Sequence, residues 1–153
     1  MYEQLKLDNQ LCFRLYSAAH LTMKAYQPYF APIGITYPQY LVLLVLWEQD
    51  HQPVCDIAKR LMLDTNTVTP LLQRMEKAGL VIRQRGEQDT RQRIVSLTDK
   101  GIDLRDKVAD VPKCLGESIM EQVGSADELK AIIPLLDQLI EGLKKIESKC
   151  QNC

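Results

Sequence analysis

The sequence predicts a mainly α-helical fold with one small β-hairpin, and three observations carry that prediction. Apolar residues recur at helical spacing through Ile57, Ala58 and Leu61, lapse at Met62-Leu63-Asp64, and resume at Val68, Leu71, Leu72 and Met75 as far as Gly79. Beyond Gly79 the period changes from about 3.6 to 2, over Leu80-Val81-Ile82-Arg83-Gln84-Arg85 and Gln92-Arg93-Ile94-Val95-Ser96-Leu97, with Gly86-Glu87-Gln88-Asp89-Thr90-Arg91 as the loop between two strands. Long helices with broad apolar faces lie on either side. Helix, turn, helix and hairpin over residues 54–97 make a winged helix-turn-helix core, with the hairpin as its wing. The helices at about 7–30 and 99–149 then read as terminal dimerisation helices.

Residues 8–30 read as one helix, with Leu7, Leu11, Leu15 and Ala18 on one stripe and Cys12, Tyr16, Ala19 and Met23 on the next. Pro28 and Pro32 should end it before the connector at Gly34 to Pro38. Thr36 is placed to cap a second helix through Leu41, Val42, Leu43, Leu44, Val45 and Leu46, which is apolar enough to be the buried centre. Asp50-His51-Gln52-Pro53 reads as a polar turn, with His51, like His20, a surface or capping residue. Asp64, Thr65, Asn66 and Thr67 offer capping oxygens to the second helix of the motif, and Pro70 is expected near its first turn, where a missing amide hydrogen costs least. Thr98 should cap a helix running through Ile102, Leu104, Val108 and Val111 until Pro112 bends or interrupts it. Gly124-Ser125 marks a break before a last amphipathic helix, from Asp127 to about Lys149, whose apolar face includes Leu129, Ile132, Ile133, Leu136, Leu139, Ile140, Leu143 and Ile146.

At 153 residues and 46% hydrophobic content the chain suffices for one domain. No apolar run approaches the roughly 20 residues that cross a bilayer, and Met1-Tyr2-Glu3-Gln4 lacks the layout of a signal peptide, so a cytoplasmic protein with no membrane partner is expected. Five scattered cysteines, Cys12, Cys55, Cys114, Cys150 and Cys153, read as thiols rather than a disulfide framework. Cys150-Gln151-Asn152-Cys153 has metal-type spacing but no second pair, so no metal and no cofactor is expected; phosphate-loop, serine-elbow and paired-carboxylate motifs are absent from the sequence.

Charge points to the partner. The chain carries 19 Lys plus Arg against 20 Asp plus Glu, yet Arg83, Arg85, Arg91 and Arg93 outnumber Glu87 and Asp89 in the hairpin. A protein need be basic only where it meets phosphate, so this local excess indicates double-stranded DNA. Thr65, Asn66, Thr67, Thr69, Gln73 and Arg74 lie on the polar face of the second motif helix, suited to phosphate and base-edge contacts, while Asp89 should orient Arg91. Terminal helices with no core of their own to cover imply a homodimer, and two reading helices about one turn of duplex apart fit a palindromic operator.

The chain resembles the MarR family of bacterial winged-helix repressors, and within it the organic-hydroperoxide repressors (OhrR). The family likeness rests on the overall layout, the Asp89-Thr90-Arg91 wing tip and Ser96-Leu97-Thr98-Asp99-Lys100-Gly101; the narrower one rests on Leu7-Asp8-Asn9-Gln10-Leu11-Cys12-Phe13, Ile35-Thr36-Tyr37-Pro38-Gln39-Tyr40-Leu41 and Leu63-Asp64-Thr65. By that resemblance the protein is a repressor, Cys12 is the sensor for an organic hydroperoxide, Tyr26 and Tyr37 contact it, and oxidation releases the operator. Without the flanking motif Cys12 would read as a small buried hydrophobe. Fourteen residues along one helix span about 21 Å, so Tyr26 cannot touch Cys12 of its own chain and such a site must straddle a dimer interface, whereas Tyr16, one turn away, can approach in cis. The helix start near Asp8 and Asn9 and tyrosine hydroxyl donors would favour the thiolate, and Arg14 points away. Cys114 falls where two-cysteine family members carry a resolving cysteine, though its spacing from Pro112 departs from their pattern; a small thiol is the alternative resolver, and Cys55 reads as structural.

Three other readings compete. A phenolic ligand lined by Tyr26, Tyr37 and Tyr40 would make the release non-covalent. A thiol peroxidase is opposed by the lack of an arginine placed for the leaving group, so no enzyme is expected. A winged helix that serves protein contacts alone is opposed by the arginine-rich wing.

Overall fold

The computed structural model describes residues 2–87, 89, 91–123 and 125–150, the last three by backbone alone. Met1, Gln88, Thr90, Gly124, the thiol of Cys150 and residues 151–153, and with them the reading of Cys150 and Cys153 as two free thiols, lie outside that description.

Two 3-10 turns, Glu3–Leu5 and Leu7–Asn9, precede the first helix, α1 (Leu11–Phe30). The helix therefore starts three residues later than residue 8, because Gln10 is extended at φ −91°, ψ 113° and its position sets the first turn. Pro28 does not end α1 but sits inside it, and the chain turns only after Phe30, through Ala31–Ile33 and a left-handed Gly34 at φ 72°. Thr36 then caps α2 (Tyr37–Glu48) in a capping box, with its amide donating to Gln39 Oε1 at 2.9 Å. Val42, Leu43, Val45 and Leu46 of α2 are buried, as their continuous apolar run requires.

The segment read as a polar turn contains a strand. β1 (Gln52–Pro53) pairs antiparallel with β3 (Arg93–Leu97), which also pairs with β2 (Val81–Arg85), giving a sheet in the order β1-β3-β2 instead of a lone hairpin. Gln52 is polar yet buried because its side-chain amide donates to the carbonyl oxygens of Val45, at 3.2 Å, and Gln49. His51 is exposed, with Nδ1 2.9 Å from Ser96 Oγ.

Between β1 and β2 lie α3 (Val54–Arg60) and α4 (Thr65–Lys77), the helix-turn-helix pair. Ile57 and Ala58 of α3 and Val68, Leu71, Leu72 and Met75 of α4 are buried in one core with α2, Leu80, Val81 and Val95. Pro70 is the sixth residue of α4, in its interior and not its first turn; it lies on the exposed face, so the lost hydrogen bond opens toward solvent. Asp64 occupies the N-cap position and acts through its carbonyl, which accepts from Thr67 N at 2.9 Å.

Thr98 caps α5 (Asp99–Val108), its hydroxyl accepting from Gly101 N at 3.1 Å. Gly101 is required by close approach: a Cβ there would stand 2.2 Å from the Leu80 carbonyl oxygen, and the Gly101 carbonyl accepts from Trp47 Nε1 at 2.9 Å. α5 stops at Val108, and Pro112 does not bend it but falls at the second position of a new helix, α6 (Val111–Val123), where proline's fixed φ is favourable. α7 (Ala126–Cys150) follows, with Ser125 Oγ accepting from Glu128 N at 3.2 Å and Glu128 Oε2 accepting from Ser125 N at 3.2 Å.

The chain divides into two compact units, one ending at Val111 and one beginning at Pro112. In the first, α1 leaves Leu11, Phe13, Tyr16, Leu21 and Met23 exposed. In the second, α7 leaves Ile132, Ile133, Leu135, Leu136, Leu143 and Ile146 exposed, and none of its described side chains is buried. Among the described residues no single helix is long and apolar enough to cross a membrane.

Candidate nucleic-acid interface and redox site

α4 presents two faces of opposite chemistry. Its apolar stripe fixes its roll on the core, and this turns Thr65, Asn66, Thr67, Gln73 and Arg74 outward. Thr69 is half-buried, and its hydroxyl donates to the Thr65 carbonyl at 2.7 Å, which leaves it less free than its neighbours. Short polar side chains at the start of a helix also bring the free backbone amides of its first turn near any phosphate that docks there.

The wing adds cations in a defined order. Arg85 and Arg93 are directly opposite in the β2–β3 ladder and exposed, a like-charge pair that repels until an anion neutralises it. Asp89 Oδ1 accepts from the Arg91 backbone N–H at 2.9 Å, so Asp89 orients Arg91 through the main chain. Arg83 differs from the other three, because its Nε and Nη2 donate to Glu76 Oε2 at 2.9 and 2.7 Å and its backbone N–H donates to Glu76 Oε1 at 3.2 Å. A cleft of about 410 Å³ lies elsewhere, against α1 and the start of α2, but between α3, α4 and the wing there is one of about 310 Å³. That second cleft brings together Thr65, Thr69, Arg83, Arg91 and Arg93. Cys55 lines it too, an exposed thiol whose position at this cleft the sequence does not reveal.

Cys12 is the second residue of α1 and is exposed in the single chain. The first turn of α1 holds no acidic residue, and Gln10 makes no side-chain cap bond, which leaves the amide end of the helix open beside the thiol. Tyr16 is exposed and stacks on His20 with ring centroids 5.9 Å apart and planes 6° apart. Cys12 and Tyr26 share α1, which is consistent with a separation of about 21 Å along its axis. Tyr26 packs instead on Tyr37 at 4.9 Å, Phe30 at 5.1 Å and Tyr40 at 5.8 Å. Burial, and then the neighbouring Tyr37 phenol, push the Tyr26 hydroxyl above the ordinary tyrosine range, so it stays protonated and can donate at neutral pH. Cys114, on α6 in the other unit, is exposed.

The family described as transcriptional regulator SarA/Rot matches residues 24–108. The organic hydroperoxide resistance transcriptional regulator of Bacillus subtilis (strain 168) is 41% identical over 142 residues, covering 93% of this chain and 95% of its own length. AbfR, a Staphylococcus epidermidis protein, solved in its reduced form bound to DNA, has a TM-score of 0.76 and 38% identity, covering 92% of this chain and 96% of that one. The overoxidized form of AbfR bound to DNA scores 0.74 with the same identity and coverage. Its disulfide form scores 0.57 at 38% identity, covering 90% and 95%. The protein is therefore a transcriptional regulator with a winged helix-turn-helix, and it belongs to the MarR family, beside the organic-hydroperoxide regulators.

Proposed function

We propose that this chain is a cytoplasmic homodimeric repressor that binds a palindromic duplex when reduced and leaves it when an organic hydroperoxide oxidises Cys12. The observation that carries the reading is an exposed thiol in the first turn of a helix whose apolar surface the single chain leaves uncovered. Residues 1–153 act together in it as one regulator, with the terminal helices of two copies packed on each other. Thr65, Asn66, Thr67, Thr69, Gln73 and Arg74 face the major groove and Arg85, Arg91 and Arg93 the wing's backbone contacts; Asp89 keeps its orienting role.

In the switch, the Cys12 thiolate attacks one oxygen of the hydroperoxide, the O–O bond breaks, and the leaving alkoxide takes up a proton to become the alcohol. The sulfur is then a sulfenic acid. The Cys114 thiol of the other subunit, or a small thiol, attacks that sulfur; an S–S bond forms and water leaves. Tyr16 from the same chain and Tyr26 and Tyr37 from the partner surround the sulfur. A disulfide demands Cα atoms within about 7 Å, a stronger constraint on an interface than one added oxygen. The likeness to AbfR runs the same way: both its reduced and overoxidized forms were solved on DNA and score alike against this chain, and its disulfide form scores lower. Non-reducing electrophoresis with intact mass measurement after hydroperoxide treatment tests the route. A covalent dimer that vanishes in Cys114→Ser supports the intersubunit bond, whereas a full response in Cys114→Ser assigns resolution to an external thiol.

A second reading has one observation in its favour, the cleft of about 410 Å³ lined by Tyr37, His20 and Lys24, which offers a cation and a phenol to a phenolic acid. Tyr26 and Tyr40, expected to line such a site with Tyr37, are not on its wall. Release from DNA by a phenolic acid alone, undiminished in Cys12→Ser, would favour it.

A further inference from the structure

Four arginines in one short hairpin invite the assumption that all of them meet DNA, and the packing of Arg83 argues otherwise. Its guanidinium is bonded through two nitrogens to Glu76, its own amide is bonded to the other carboxylate oxygen, and its side chain is 21% exposed. The location is specific. Arg83 is opposite Val95, the last buried residue of the ladder; beyond it come Gln84 opposite Ile94 and then Arg85 opposite Arg93, none of these four being buried. The clamp thus sits where the core-anchored part of the hairpin ends and the free part begins. Glu76 belongs to α4, so the bond ties the wing's departure angle to the helix that carries Thr65 and Gln73.

We propose that Arg83 makes no phosphate contact, and that the Glu76–Arg83 pair is a positioning device setting the wing, and so Arg85, Arg91 and Arg93, against the reading helix. The proposal rests on the DNA-binding role given above. The hydrogen bond from Arg83, with its positive charge, holds the Glu76 carboxyl below the usual carboxylate range, so the pair stays ionised at neutral pH. A carboxylate near a DNA backbone would be repelled by it; a carboxylate already neutralised by an arginine is not.

The test is fluorescence anisotropy over a salt series, on a duplex that the wild type selects from a random-sequence pool, with Glu76→Gln, Arg83→Gln and the reciprocal exchange Glu76→Arg/Arg83→Glu. A clamp predicts that Glu76→Gln weakens binding by roughly tenfold, that Arg83→Gln does the same with an unchanged slope of log Kd against log salt, and that the exchange restores most of the loss. A phosphate contact predicts the reverse: freeing Arg83 in Glu76→Gln leaves binding unchanged or tighter, and Arg83→Gln lowers the slope by about 0.9. Either of those results overturns the proposal. Amide exchange, read without DNA, separates it from the functional reading. Faster exchange at residues 84, 85, 93 and 94 in Glu76→Gln, with α2 unchanged, supports the clamp even if no duplex is selected, and unaltered wing exchange overturns it.

Discussion

α4 and α7 both carry a strong apolar stripe, and the protein treats them in opposite ways. The stripe of α4, from Val68 to Met75, is buried on α2 and the sheet, which leaves the polar face of the helix outward. The stripe of α7, from Ile132 to Ile146, is open in the single chain. Amphipathicity locates a face; what covers it depends on how much core the rest of the chain supplies. A covered stripe fixes the orientation of its helix, while an open one is the face that the proposed homodimer would cover.

That contrast can be broken from either side. The largest effect is expected in the covered region: Leu72→Ala leaves a cavity beneath α4 and should destabilise folding by about 2–5 kcal/mol, measured by denaturant unfolding. In the open region, Leu136→Glu with Leu139→Glu should cost the dimer before it costs the fold, because the unit ending at Val111 has its own core. Sedimentation should find monomers with the far-ultraviolet spectrum of the first unit kept, and a wild type that is already monomeric at micromolar concentration would remove the dimer from the account.

Smaller effects sharpen the picture of the polar face. Arg91→Ala should weaken duplex binding and lower the salt slope by about 0.9; an unchanged affinity and slope would take the wing tip out of the interface. Smallest of all is a pH effect. Glu76 has a folded-state pKa below its unfolded value, so its stabilisation is present above the ordinary carboxylate range near 4.5 and is lost as pH falls through the depressed value. Glu76→Gln should therefore narrow the gap to wild type in thermal stability below about pH 4.5 and leave it constant from pH 6 to 8.

The elements that the sequence revealed are those decided locally. The stripes of α2, α3 and α4, the change of period at Gly79 and the Thr98 cap are all written within a few residues of where they act. What it hid depends on partners distant in sequence. β1 is two residues long and exists because β3 runs beside it; without that pairing Gln52 and Pro53 have no strand pattern to display. Pro70 and Pro28 are tolerated inside helices, so proline alone misplaces helix ends. Arg83 is indistinguishable from Arg85 as a letter, and only Glu76, seven residues upstream, separates a bound guanidinium from a free one. The placement of Cys12 at a helix start was foreshadowed by Asp8 and Asn9, yet the two 3-10 turns moved that start to Leu11 and brought the amide end closer to the thiol.

The switch at Cys12 is the central claim, and one titration addresses it directly. Anisotropy of the selected duplex is measured with reduced wild type and Cys12→Ser, each before and after an organic hydroperoxide. Wild type should lose about 100-fold in affinity, equivalent to some 2.7 kcal/mol of differential strain between bound and oxidised states, and Cys12→Ser should lose none. Equal release of both proteins, or wild-type binding that hydroperoxide leaves untouched, would contradict the account.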